Sequence, residues 1–199
     1  MDHESPPDRP YSRRERPAPR PLARARMEEM ALAYVARFAT SAAKLEAYLA
    51  RKLRERGWEG DAPEEGAAAA REIVARFVEL GYVDDAGFAR MKAGSLLRRG
   101  FGARRIAQAL GQDGIDEAIR EEVAPEPAEA RAAALALARK KGLGPFTRRG
   151  LDEEGRLDPA LREKQIAAML RAGHGMGAAR AVIEAADVES LEAWAGEEE

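Results

Sequence analysis

The chain has no cysteine, no asparagine and only two histidines, His3 and His174. Without cysteine there can be no disulfide, no thiolate nucleophile and no Cys-ligated zinc. Two histidines give little basis for a His-built metal site or a Ser-His-Asp triad. β-Branched residues are also scarce. Val, Ile and Thr together number 15 of 199, and aromatics make up 6%. A sheet needs such residues to fill its pleated faces, so a sheet-rich fold is excluded. No apolar run approaches the roughly 18–20 residues of a membrane span. The first residues lack the basic-then-apolar order of a secretory signal. A cytoplasmic protein with no membrane partner is expected.

What is abundant points to helices. Alanine supplies 43 residues and arginine 27, against 6 lysines. Ala, Leu, Arg and Glu lose little on entering a helix. Hydrophobic residues make up 45%, enough for a core. The formal charge of -2 sums 33 basic and 35 acidic groups, but these are clustered. Residues 92–105 carry five basic groups and no acid, as do residues 139–149. Residues 44–56 carry five basic and two acidic groups, and residues 184–199 carry seven acids and no base. Surface potential follows such local clustering and not the whole-chain sum.

Residues 1–26 hold six of the eleven prolines, seven arginines and a single leucine. Such a segment buries too little surface to offset the entropy of ordering, and a disordered Pro/Arg-rich arm is expected there. From Met27 onward, apolar residues recur at helical spacing. Met30, Tyr34, Val35 and Phe38 share a face; Leu45, Leu49 and Leu53 form a second stripe; Ile73, Phe77 and Leu80 form a third. Thr40 or Ser41 can cap the second helix, and Gly57 can end it. The pattern restarts after Asp84 or Asp85, either of which can cap a helix carrying Phe88, Met91 and Leu96 or Leu97. A helix with Ile106 and Leu110 and a short one opened by Asp116 follow. A third unit carries Leu135 and Leu137, then a loop over 143–158. Pro159 then opens a helix with Ile166 and Met169, and a last helix ends near Ala186.

Gly57, Gly114 and Gly173 end corresponding helices, with Leu53, Leu110 and Met169 four residues before them. This period predicts an all-α chain of about three tandem three-helix repeats forming an elongated, curved module. The repeats are expected at 27–83, 84–125 and 126–187, with an acidic tail over 188–199.

Catalytic constellations are missing. No Walker-type phosphate loop occurs. Gly173, Gly175 and Gly177 follow no strand and fit a helix end better than a dinucleotide fingerprint. Asp84 and Asp85 read as helix-cap residues, and His174, just past a helix-ending glycine, as a turn or surface residue. No enzyme activity, metal or cofactor is predicted. What stands out are cations at the repeat junctions. Arg98 and Arg99 precede Gly100, and Arg104 and Arg105 follow Gly102 with no acid between them. Arg51, Lys52, Arg54 and Arg56 occupy the matching part of the first repeat, diluted by Glu55. Arg139, Lys140, Lys141, Arg148 and Arg149 flank the loop of the third. Arginine offers planar bidentate donors to phosphate or carboxylate. These residues form the candidate binding face.

The run Leu80-Gly81-Tyr82-Val83-Asp84-Asp85 with Phe88-Ala89 resembles the central signature of the RecX family. Arg98-Arg99-Gly100-Phe101-Gly102-Ala103-Arg104-Arg105-Ile106, then Leu110 and Gly114-Ile115-Asp116, resembles the segment that follows it. The outer repeats are similar to the family's first and last, so the resemblance spans about residues 27–187. Ala103 stands where the family often has proline, and the 143–158 loop is longer than in a minimal member. The resemblance implies a regulator of the RecA recombinase in recombination, DNA repair and the SOS response. Such a protein binds in the groove of the RecA–DNA filament, inhibits its assembly and activities, and also binds DNA. The basic face would then meet RecA or DNA phosphate, and the chain is read as a monomer. The alternative is a helix-turn-helix-like DNA-binding protein acting without RecA. It needs base-reading side chains, and the chain offers no Asn and only Gln108, Gln112 and Gln165.

Overall fold

The computed structural model describes residues 20–148, 150 and 157–197. The described residues form ten α-helices and one 3-10 turn, and the only β-type pairing among them that links two described residues is an isolated bridge between Leu22 and Trp58. In chain order the helices are α1 (Arg24–Val35), α2 (Ala42–Arg56), α3 (Pro63–Glu79), α4 (Asp85–Arg98) and α5 (Ala103–Gln112). Then come α6 (Glu117–Glu122), α7 (Pro127–Lys141), α8 (Pro159–Arg171), α9 (Met176–Glu184) and α10 (Val188–Ala195). The 3-10 turn, Gly144–Phe146, follows α7.

Side chains set the helix starts. Ser41 Oγ accepts from Lys44 N–H at 3.3 Å, and Asp84 Oδ1 accepts from Gly87 N–H at 2.8 Å. Asp158 Oδ1 accepts from Ala160 N–H at 2.9 Å, just ahead of a helix that opens on Pro159. Each satisfies a donor that a helix start would leave unpaired.

The buried residues fall into three clusters. One gathers Met27, Leu45, Leu49, Ile73 and Phe77 from α1–α3. A second gathers Phe88, Leu96, Ile106, Leu110 and Ile115 around α4–α6. A third gathers Leu137, Met169, Val182 and Leu191 from α7–α10. A fully buried leucine such as Leu49 or Leu110 contributes about 2 kcal/mol through lost apolar exposure. Phe101 packs against both the second and third clusters and joins those modules.

The modules meet end to end through their middle helices. At the first joint, Ser41 Oγ at the start of α2 donates to the Asp113 carbonyl at the end of α5, at 2.6 Å. Asp85 Oδ1 accepts from Ala42 N–H at 2.9 Å. At the second joint, Gly102 N–H at the start of α5 donates to the Ala172 carbonyl at the end of α8, at 2.9 Å. Arg104 N–H donates to the Gly173 carbonyl at 3.2 Å. At the second joint orphan N–H groups of one helix start thus find carbonyls at the end of another helix, and at both joints opposite dipole ends face each other.

Several expectations are corrected. Residues 22–26, read as part of a disordered arm, are ordered: α1 begins at Arg24 and Leu22 is fully buried. The arm's lone leucine reaches the first core, where Leu22 N–H donates to the Gly57 carbonyl at 2.9 Å. Residues 1–19 lie outside the described residues. The acidic tail is not merely a tail: residues 188–195 form α10, with Leu191 fully buried and Trp194 against the third core. Within the 143–158 loop, residues 144–146 form the 3-10 turn, while residues 149 and 151–156 lie outside the described residues.

Phe38, Leu80 and Met91, expected on buried stripes, are 57%, 54% and 52% exposed. Phe38 and Leu80 lie past the last residues of α1 and α3, where helical phase no longer orients them. On α4 the small Ala89 and Ala93 take the covered positions and leave Met91 outside.

Candidate basic interface

The α4–α5 corner carries the central cations. Arg98 is the last residue of α4 and Arg99 its C-cap; Arg104 and Arg105 lie in the first turn of α5. All four are exposed. Among the described residues none of them forms an ion pair. Arg99 lies over the Phe101 ring, 5.2 Å from its centroid, and Arg105 Nη1 donates to Gln108 Oε1 at 2.8 Å. A helix end favours cations at its C-terminus and disfavours them at its N-terminus. Arg98 and Arg99 obey that rule. Arg104 and Arg105 break it, with no acidic residue in the first turn of α5 to compensate. Positive charge kept against the local field is a sign of a surface held for a ligand.

The close seating of α5 on α8 depends on two glycines. A Cβ on Gly102 would lie 2.5 Å from the Gly173 carbonyl carbon and oxygen. Gly173 has φ of +93°, where a side chain is strained, and a Cβ there would strike the Arg105 backbone. His174 completes the joint. Instead of the turn or surface residue expected, it is 3% exposed, and its Nε2 lies 3.0 Å from the Gly100 carbonyl. Burial pushes its pKa below the ordinary histidine value, while the Gly100 carbonyl pulls it the other way.

The third module contributes a second cluster. Arg139, Lys140 and Lys141 form the last turn of α7 and are exposed. Arg139 pairs with Glu192 of α10 and lies 5.9 Å from the Phe146 ring centroid. Arg148 is exposed just beyond the 3-10 turn, and Arg149 lies outside the described residues. A cavity of about 750 Å³ opens here, and Arg139, Lys141 and Arg148 line it together with Lys164 and Arg171 of α8. Sequence reasoning missed the last two. They are seven residues apart with Glu163 beside the first, so no dense basic run marks them. Arg171 also stands two residues before Gly173 and so leads toward Arg104 and Arg105.

The first module's cations are not part of this assembly. Arg51 and Lys52 approach Glu55 at 3.9 and 2.6 Å. The Lys52 ammonium, hydrogen-bonded to Glu55, holds that carboxyl below its ordinary pKa. Arg54 is exposed. Arg56 lines a separate hollow with Arg20, Arg26 and Glu59. All four lie on the C-terminal half of α2, whereas the start of α2 is what meets α5. They are therefore separated from Arg104 and Arg105 by the length of α5 and half of α2.

Among the described residues, no group of three or more His, Asp or Glu side chains is placed to hold a metal ion, and no helix is long and apolar enough to cross a membrane.

Comparison with known proteins gives concordant matches. Residues 84–123 match the family described as RecX, second three-helix domain. The regulatory protein RecX of Myxococcus xanthus (strain DK1622) is 36% identical over 171 residues, covering 83% of this chain and 88% of that protein. The regulatory protein RecX of Mycobacterium sp. (strain JLS) is 32% identical over 168 residues, covering 83% of this chain and 86% of that one. The crystal structure of RecX from Lactobacillus salivarius has a similar fold, with a TM-score of 0.59 at 17% identity, over 81% of this chain and 94% of that one.

Proposed function

The chain belongs to the RecX family of regulatory proteins, and on that basis we propose that it binds the RecA–DNA filament and inhibits its assembly and activities. The observation that carries the proposal is the set of exposed arginines Arg98, Arg99, Arg104 and Arg105, which form no ion pair among the described residues, at the joint of the second and third modules. These four meet acidic RecA surface or DNA phosphate, and the Arg139–Arg148 cluster extends the contact. Several modest contacts on one repetitive target accumulate into useful affinity. A protein that binds one filament state in preference to another shifts assembly by linkage, without any chemical step. The chain acts as a monomer in the cytoplasm, as a regulator of recombination and DNA repair and not as an enzyme.

The test is ATP hydrolysis by preformed RecA filaments on single-stranded DNA, with this protein added below stoichiometry. Hydrolysis is expected to fall and filaments to shorten. Unchanged hydrolysis together with unchanged filament length refutes the proposal. Replacing Arg98, Arg99, Arg104 and Arg105 with alanine should keep the helicity and lose the inhibition. Full inhibition by that variant would move the contact to another surface.

A further inference from the structure

The cavity between α7, the 3-10 turn and α8 combines a basic rim with an apolar floor. Its rim is basic, with Lys141, Arg148, Lys164, Arg171 and Arg139, and no carboxylate is among its lining residues that are described. Of these five, only Arg139 pairs with a described carboxylate. Its floor is apolar, built from Leu143, Pro145, Phe146 and Leu161. About 750 Å³ lies within the range of small-molecule sites.

The floor is fixed in advance. Gln165 is buried, its Oε1 accepts from Gly144 N–H at 2.8 Å, and its Nε2 donates to Thr147 Oγ1 at 2.8 Å. Thr147 Oγ1 donates in turn to the Gly142 carbonyl at 3.1 Å. The turn is thus tied to α8 by a satisfied buried network, which holds the cavity open without a ligand.

We propose that this cavity is a nucleotide seat, in which one unstacked base of a single-stranded nucleic acid lies on the apolar floor while the flanking phosphates meet Lys141, Arg148, Lys164 and Arg171. A cationic rim alone would suit any polyanion. An apolar floor that includes the Phe146 ring, inside such a rim, suits a base carried between phosphates, since single strands are held without sequence readout by a cationic groove with aromatic side chains on which bases stack. Arg171 leads through Gly173 to Arg104 and Arg105, so the cations continue beyond the cavity as a strand's phosphates would. The inference relies on the regulatory reading only in taking DNA as the strand, and its test needs no recombinase.

The probes are a fluorescein-labelled 20-nucleotide oligo(dT) and an abasic strand of equal length, followed by anisotropy with the full chain. The full chain is expected to bind oligo(dT) about tenfold more tightly than the abasic strand. Leu161→Ala should shrink that ratio toward one and leave abasic binding unchanged. Lys164→Ala with Arg171→Ala should weaken binding of both strands about tenfold. Removing two exposed arginines from the first module, Arg37→Ala with Arg71→Ala, should change either by less than twofold. Equal affinity of the unmodified chain for the two strands overturns the seat. So does displacement of oligo(dT) by polyglutamate, or by free dTMP at micromolar concentration, since these assign the cavity to an acidic segment or a mononucleotide. Intact inhibition of RecA filaments with no strand preference rejects the seat alone. Strand preference without inhibition rejects the regulatory reading alone.

Discussion

The N–H of Gly102 donates to the Ala172 carbonyl at 2.9 Å, which sets the first turn of α5 on the last turn of α8. Gly102 stands between the two central arginine pairs, Arg98–Arg99 and Arg104–Arg105, and its bond also ties the second module to the third. The proposed binding surface and the module geometry are therefore coupled at one point. A change that loosens this joint moves Arg104 and Arg105 relative to Arg171 and the cavity of the third module.

Gly102→Ala should show that coupling. Its Cβ would lie 2.5 Å from backbone atoms of Gly173, which cannot rotate away as a side chain could. Overpacking of this kind costs about 1–3 kcal/mol. Gly175→Ala is the matched control, because nothing lies within 4 Å of a Cβ there. Thermal unfolding followed by circular dichroism should show a clear drop for Gly102→Ala and little for the control. Equal midpoints would mean that the joint is not closely packed in solution.

The first joint rests on charge. Asp113 pairs with Lys44 of α2 at 3.3 Å and also with Lys92 of α4, and both ammonium groups lie within about 6 Å of the Phe88 ring centroid. Asp113→Asn removes the charge and keeps the shape. Lys44 is partly exposed, so its share is screened, and a loss of about 1–2 kcal/mol is expected. Urea unfolding at low and at high salt checks this. The unmodified chain should lose part of its advantage over the variant in salt, and no difference at either ionic strength would contradict the pairing.

The sequence marked the helices well because their ends carry explicit signals. Ser41, Asp84, Asp116 and Pro159 open helices, and Gly57, Gly114 and Gly173 follow their ends. It marked the basic runs, because charge density is local. It could not say which runs would meet. Arg51 to Arg56 hold four cations, as Arg98 to Arg105 do, but Glu55 pairs with two of the former and the head-to-tail order of the middle helices carries them away. Lys164 and Arg171 escaped notice because their partners lie on α7 and the 3-10 turn. Alanine was a further source of error. On α4, Ala89 and Ala93 fill core positions that a larger residue such as Met91 would be expected to occupy. His174 was misplaced because nothing in its neighbours reports that α4 and α5 close over it.

His174 gives a pH prediction. Its pKa in the folded chain lies below the ordinary value of 6.5, chiefly through burial. As pH falls through that value the unfolded chain takes up the proton first, so stability falls. The contribution is fully present above pH 6.5 and declines below it, until the folded-state value is reached. His174→Gln removes this titration while keeping a donor near the Gly100 carbonyl. Urea midpoints from pH 7.5 down to 5 should fall more steeply for the unmodified chain than for the variant. Parallel curves would show that His174 is hydrated in the folded state.

The formal charge of -2 predicts no attraction to DNA, while the local clusters predict a measurable one. Salt distinguishes the two. Each phosphate neutralised on a single strand contributes about -0.7 to the slope of log K against log salt. If Arg98, Arg99, Arg104 and Arg105 each meet a phosphate, replacing all four with alanine should flatten the slope by about 3. If they meet RecA carboxylates instead, the slope for naked oligo(dT) should not change, and the salt dependence of filament binding should weaken. Measuring both slopes with the unmodified chain and the variant therefore assigns the four arginines to DNA or to protein. A variant that changes neither slope would remove them from the interface altogether.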